Sequence, residues 1–218
     1  MNEFLPPGAV TGPHQNQPVL LAGEPLATAR AALLLLHGRG ASAQDILTLV
    51  PELEPQGFTC IAPQAVQSTW YPNSFLAPIE SNEPWLSSAL SVIGAVLAQV
   101  QAAGIPAERT MLLGFSQGAC LALTYVARHA QRYSSVVGLS GGLIGPDMGG
   151  HDYAGSLAGT PVFLGCSDVD PHIPKERVQL AAKTLELLGG VVTARLYPRM
   201  GHTINQDELE AVKAMMAV

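Results

Sequence analysis

Short apolar runs and longer periodic segments alternate along most of the chain. Val19–Ala22, Ala31–Leu36, Phe58–Ala62, Thr110–Leu113, Ser135–Leu139, Val162–Leu164 and Val191–Tyr197 read as strands, most of them without the polar–apolar alternation of a half-exposed strand. Near-continuous apolar strands are what a parallel sheet buried on both faces requires. The segments between them, Ala43–Leu53, Asn82–Ala103, Gln117–His129, Lys175–Leu188 and Gln206 to the C-terminus, read as helices that supply the cover. The pattern predicts an α/β fold: a mostly parallel central sheet with helices on both faces. The Gly23-Glu24-Pro25 turn signal lies between the first two runs, which predicts that they pair with each other.

Two stretches break the alternation. Residues 1–17, with Pro, Gly, Asn and Gln, are expected to be a flexible N-terminal segment ahead of a single domain spanning 18–218; they show neither the basic nor the apolar region of a signal peptide. Residues 63–84, with several Pro and Asn and two nearby Trp, have no clear period and are expected to form a loop excursion over the sheet. No internal repeat or linker divides the rest.

Between Glu83 and Glu108 there is no charge, a gap long enough to suggest a membrane span. Leu86, Leu90, Ile93, Leu97 and Val100 nevertheless recur at helical spacing, while Ser87, Ser88, Ser91, Gln99 and Gln101 interrupt the run. That favours a packed helix with one apolar face over membrane insertion, framed by Asn82 as N-cap, Pro84 in the first turn and Gly104 at the end.

Composition sharpens this picture. Only 13% of the 218 residues are charged, against roughly 25% in an average soluble chain. The net charge is −6, and the 11 Lys and Arg are scattered, so the electrostatic footprint of a nucleic-acid binder is missing. Cys60, Cys120 and Cys166 are odd in number and each lies in an apolar stretch, which predicts reduced, buried thiols in the cytoplasm, with neither a disulfide nor a zinc site. Apolar surface near the excursion is compatible with a homodimer.

The strongest chemical signal is Gly114-Phe115-Ser116-Gln117-Gly118, between a strand and a helix. A sharp strand-to-helix turn exposes the serine hydroxyl at the C-terminal edge of the sheet and places it over a helix N-terminus, where developing negative charge is favoured. A serine nucleophile needs a base and a group to orient that base. Of the six histidines, His202 follows the last predicted strand and so reaches the same edge. His129 ends a helix, His37 closes a strand as scaffold, and His14 and His151 sit in polar loops with no strand to place them. The acid should lie after the penultimate strand, where Asp168 and Asp170 both qualify; one would orient the imidazole and the other brace the loop. An attacked carbonyl also needs two converging donors. The Gln117 amide is one, and the Arg39 or Gly40 amide of Leu36-His37-Gly38-Arg39-Gly40 is the other, with Ser42 as a helix N-cap just beyond.

Leu36-His37-Gly38-Arg39-Gly40, Gly114-Phe115-Ser116-Gln117-Gly118-Ala119, Asp168-Val169-Asp170-Pro171 and Gly201-His202 together resemble the carboxylesterase, phospholipase and acyl-protein thioesterase family of α/β-hydrolases, in family order from about Val19 onward. The resemblance implies an α/β-hydrolase fold and a serine hydrolase that cleaves carboxylic esters of small to medium acyl chain through an acyl-enzyme, without metal or cofactor. It implies Ser116 as nucleophile, His202 as base, Asp170, directly before Pro171, as acid, and the Arg39 and Gln117 amides as oxyanion donors. Trp70, Tyr71 and Phe75 in the excursion, and His172 and Ile173 beyond the acid, are candidates to contact the substrate. An acyl-thioesterase or lysophospholipase is the neighbouring alternative, and a non-catalytic small-molecule-binding homologue a more distant one. The chain departs from the family in two places: Arg39, where many members have leucine, and Cys166-Ser167, where members often have His-Gly.

Overall fold

A computed structural model describes residues 4–6, 8–146 and 153–216. Among these, seven strands form one sheet: β1 (Val19–Gly23), β2 (Ala31–Leu36), β3 (Phe58–Pro63), β4 (Thr110–Phe115), β5 (Ser135–Leu139), β6 (Pro161–Ser167) and β7 (Val191–Tyr197). Their order is β1-β3-β2-β4-β5-β6-β7, and every neighbouring pair is parallel except β1 with β3. Six α-helices are found among the described residues: α1 (Ala43–Leu47), α2 (Leu49–Leu53), α3 (Trp85–Ala102), α4 (Gln117–Arg128), α5 (Lys175–Leu187) and α6 (Gln206–Met216).

The apolar runs follow from the pleat. Along β2, Ala32, Leu34 and Leu36 enter a core shared with α3, α4 and α5, while Ala31, Leu33 and Leu35 enter a second core shared with α1, α2 and α6. With both faces covered, alternation has nothing to mark. The two edge strands, β1 and β7, are the more exposed ones, and in β7 alternation returns, with Val192 and Leu196 packed on the core and Thr193 and Arg195 exposed.

The first two strands do not pair with each other as the turn signal predicts. The seven residues between them cross the start of β3, where Glu24 donates to Phe58 and Arg30 to Gly57. A crossover through α1 and α2 then lays β3 parallel to β2, and β4 takes the other side of β2, which leaves β1 only the outer edge of β3. The predicted 43–53 helix is two helices, broken at Thr48. Pro51 has no amide for the Leu47 carbonyl and its ring crowds that carbonyl. Ser42 does cap α1, in a reciprocal capping box with Asp45.

Helix α3 is long and apolar enough to cross a membrane by length and composition, but Leu86, Ala89, Leu90, Ile93, Val96 and Val100 are buried against the sheet and α4. Its C-terminus closes as expected: Gly104, at φ 90°, donates to Gln101, and Ile105 donates to Val100. Its N-terminus does not. Asn82 is buried in the excursion, where it accepts from the Asn73 amide and donates to Ser74, so the Glu83 carboxylate accepts the Ser87 amide in its place.

Where it is described, the N-terminal segment packs against the domain. Val10 and His14 are buried against α3 and the excursion, and the Ser88 hydroxyl accepts the His14 amide.

Candidate active site

Ser116 sits between β4 and α4 at φ 55°, ψ −118°, a conformation non-glycine residues avoid and one that stores strain at functional sites. The flanking glycines make the turn sterically feasible. A Cβ on Gly114 would lie 2.3 Å from the Gly118 carbonyl oxygen, and one on Gly118 would lie 2.1 Å from that of Leu36. The turn lifts Ser116 Oγ to 2.8 Å from His202 Nε2. His202 Nδ1 is 2.7 Å from Asp170 Oδ2, so the carboxylate fixes the proton on Nδ1 and leaves Nε2 free to accept from the serine hydroxyl.

The Asp170 side chain is fully buried. Burial alone would raise its carboxyl, but the His202 hydrogen bond and the His172 and Ile173 amides, both on Oδ1, outweigh that and hold it below the usual range. Cys166 Sγ lies 3.7 Å from Oδ2 and is a neutral thiol, pushed by burial up to about 12. Asp168 does not reach the imidazole. Its Oδ1 accepts the Arg199 amide at 2.7 Å and tethers the loop that carries His202, which Ser167 also grips through the Met200 carbonyl.

A similar division separates the two candidate amides. Gly40 donates to Ser68 at 2.8 Å. Among the described residues neither the Arg39 nor the Gln117 amide has a protein acceptor. A Cβ on Gly38 would stand 3.4 Å from Ser116 Cβ, so the loop bearing Arg39 lies directly beside the nucleophile. Two amides that point at no protein oxygen, next to a hydroxyl bonded to an imidazole, can stabilise an oxyanion.

The cavity over Ser116 has a volume of about 500 Å³, within the range of small-molecule sites. Tyr71, Phe75, His172 and Ile173 line it, whereas Trp70 does not. The Trp70 side chain is fully buried: its indole donates to the His37 carbonyl at 2.9 Å and its ring packs on His37 and His14. An indole needs a partner for its N–H when buried, and the scaffold supplies one below the pocket. The large apolar side chains that are exposed, Leu21, Val169, Leu187 and Val191, lie off the excursion.

His37 and His14 are structural. His37 Nε2 accepts the Ala65 amide and Nδ1 donates to the Gly38 carbonyl; His14 Nδ1 accepts the Val66 amide and Nε2 donates to the Trp70 carbonyl. Burial pushes both below the ordinary imidazole value, so both stay neutral and keep these tautomers. His129 stacks on Tyr125 at the end of α4, and His151 lies outside the described residues. Among the described residues no cluster of three or more His, Cys, Asp or Glu could hold a metal ion.

Two contributors left no clear sequence signal. The Gln117 side chain accepts from the Trp70 amide and donates to the Tyr71 carbonyl, holding the excursion over Ser116. Only the glutamine in Gly-Phe-Ser-Gln-Gly hinted at this, since that position needs no side chain for its amide to act.

The other is Glu208, fully buried at the start of α6. Its Oε2 accepts the Asn205 amide, and among the described residues its Oε1 has no hydrogen-bond partner. Burial pushes its carboxyl from an ordinary 4.5 up to about 7, against the Asn205 hydrogen bond. The native state therefore keeps a proton that the unfolded chain releases, and stability falls as pH rises from the ordinary value to the raised one. Glu208→Gln is expected to be neutral at about pH 4 and stabilising by roughly 3 kcal/mol at about pH 8, read from denaturant unfolding at both.

Sheet, helix cover and a serine at the β4–α4 turn define the class: this is an α/β-hydrolase. More narrowly, the chain belongs to the phospholipase/carboxylesterase family, whose sequence pattern matches residues 23–218. The crystal structure of a phospholipase/carboxylesterase from Dyadobacter fermentans is 40% identical, covers 96% of this chain and 100% of that one, and superposes with a TM-score of 0.91. An acyl-protein thioesterase 1 from Gibberella zeae is 35% identical over 117 residues, 52% of this chain and 49% of that protein, so the chain matches about half the length of this relative. A probable carboxylesterase, SOBER1-like, from Arabidopsis thaliana is 25% identical over 205 residues, 86% of this chain and 78% of that protein. The family is one of ester hydrolases.

Proposed function

We propose that the protein is a serine carboxylesterase acting on esters of small to medium acyl chain. The observation that carries this reading is the chain of hydrogen bonds from Ser116 through His202 to Asp170 beside two unspent amides. Ser116 Oγ attacks the ester carbonyl carbon while its proton passes to His202 Nε2. The carbonyl oxygen becomes an oxyanion held by the Arg39 and Gln117 amides, at the positive end of α4. The intermediate collapses, the carbon–oxygen bond to the alcohol breaks, and His202 returns the proton to the leaving oxygen. Water, deprotonated by His202, then attacks the acyl-enzyme, and the carboxylic acid departs with the Ser116 proton restored. Asp170 stabilises the transient imidazolium and stays ionised throughout.

The cavity volume suits a small or medium ester, and the three unpaired, buried thiols fit a cytoplasmic enzyme. The similarity to acyl-protein thioesterases supports a second reading, hydrolysis of acyl thioesters, since the same oxyanion chemistry serves both. The test is rapid mixing with aryl esters and aryl thioesters of graded chain length. A burst of aryl leaving group stoichiometric with enzyme is expected, with the highest kcat/KM on an ester. Preference for thioesters at every length would favour the second reading, and no release of aryl leaving group from any substrate, in a burst or in steady state, would leave a pocket that binds without turnover.

A further inference from the structure

Arg39 is exposed, yet its guanidinium is committed. Nη2 donates to the carbonyls of Tyr71 at 2.9 Å and Asn73 at 2.6 Å, Nη1 donates to that of Pro72 at 2.8 Å, and the cation sits 5.9 Å from the centre of the Tyr71 ring. Three consecutive carbonyls at the rim of the cavity are thus gathered by one side chain. The Tyr71 carbonyl also accepts from Gln117 Nε2, so Arg39 and Gln117 meet on one oxygen. These are the two residues whose backbone amides stand unspent beside Ser116. Each therefore has an amide with no protein acceptor among the described residues and a side chain fastened to the cavity wall.

We propose that Arg39 is a specificity-determining residue that ties the wall formed by residues 71–75 to the oxyanion donors, so that the acyl group filling the cavity controls how well those donors are placed. The inference rests on the esterase reading above. Binding energy from the non-reacting part of a substrate can appear in kcat only where it is coupled to the groups that stabilise the transition state. Three hydrogen bonds from a rigid fork supply that coupling. A lysine ammonium, with no planar fork, cannot reproduce them in one geometry.

The experiment compares wild type, Arg39→Leu and Arg39→Lys on neutral aryl esters from acetyl to octanoyl, with one ester carrying a terminal carboxylate. In wild type, kcat is expected to vary with acyl length. In Arg39→Leu the ratio of kcat for the preferred length to kcat for acetyl should fall about tenfold, the order of discrimination one methylene provides in a shaped pocket. Arg39→Lys should recover little of it. An unchanged ratio, or an equal loss on every ester, would overturn the coupling. So would a loss confined to the carboxylate ester, which would make Arg39 a reader of substrate charge. Wild type inert on all esters would instead be a failure of the esterase reading itself. If the leucine variant does not fold, the lysine variant decides, because it keeps the charge and the aliphatic stem; wild-type discrimination in it would equally overturn the proposal.

Discussion

Ser116→Ala is expected to lower kcat on a short aryl ester by about a million-fold, because removal of the nucleophile disables the whole proton-transfer chain. The fold should persist: Ser116 makes its backbone bonds, from its amide to Leu139 and to its carbonyl from Cys120, without the hydroxyl. Ser116→Gly should be equally inactive but more stable than wild type by about 1 kcal/mol, since glycine accepts a positive φ without strain. Activity assays beside thermal melts would show turnover lost and stability kept or gained. Full turnover in Ser116→Ala would move the nucleophile elsewhere.

Asp170→Asn should cost about ten thousand-fold in kcat, while Asp168→Asn costs less than about tenfold. The reason is which atom would face the imidazole. At position 170, Oδ1 is already held by the His172 and Ile173 amides, so an asparagine there would keep its oxygen on them and turn its NH2 toward His202 Nδ1. Nδ1 would then have to accept, the proton would move to Nε2, and the histidine could no longer take a proton from Ser116. Asp168 needs only an acceptor for the Arg199 amide, which asparagine retains. Steady-state kinetics on both variants separate the roles, and the reverse ranking would transfer the acid's role to Asp168.

Arg39 and Cys166 act beyond the reacting atoms. The arginine at position 39 spends its charge on backbone carbonyls of the excursion, and Cys166 places a neutral thiol against the acid. Neither displaces a group from the Ser116–His202–Asp170 line. Glu208, at the start of α6 and just after the loop that carries His202, has one oxygen without a hydrogen-bond partner among the described residues, and its ionisation at alkaline pH costs stability there.

Several features could be read directly from the residues because they are local or periodic. Near-continuous apolar strands announced a sheet covered on both faces, and the two glycines around Ser116 announced a turn with no room for a Cβ. Chain order alone put His202 and the acid at the edge of the sheet where Ser116 lies. Other features depended on partners distant in sequence. The register of β1 was settled by the crossover that brings β3 between it and β2, and Asn82 was drawn from the helix cap to the backbone at 73 and 74.

What the sequence by itself determined was the layered architecture and the Ser116–His202 pairing, since periodicity and strand order need no knowledge of long-range contacts. Within the residues themselves, Asp168 and Asp170 were equivalent, as were the Arg39 and Gly40 amides, and Trp70 looked as suited to substrate as Tyr71. The family resemblance pointed to Asp170 and the Arg39 amide, and the tertiary structure supplies the physical difference within each pair. Asp168 is held by the Arg199 amide, the Gly40 amide by the Ser68 carbonyl and the Trp70 indole by the His37 carbonyl, whereas Asp170 reaches His202, the Arg39 amide has no protein acceptor among the described residues and Tyr71 lines the cavity. A hydrogen-bonding group spent on the scaffold is lost to chemistry, and which group is spent depends on where the rest of the chain comes to lie.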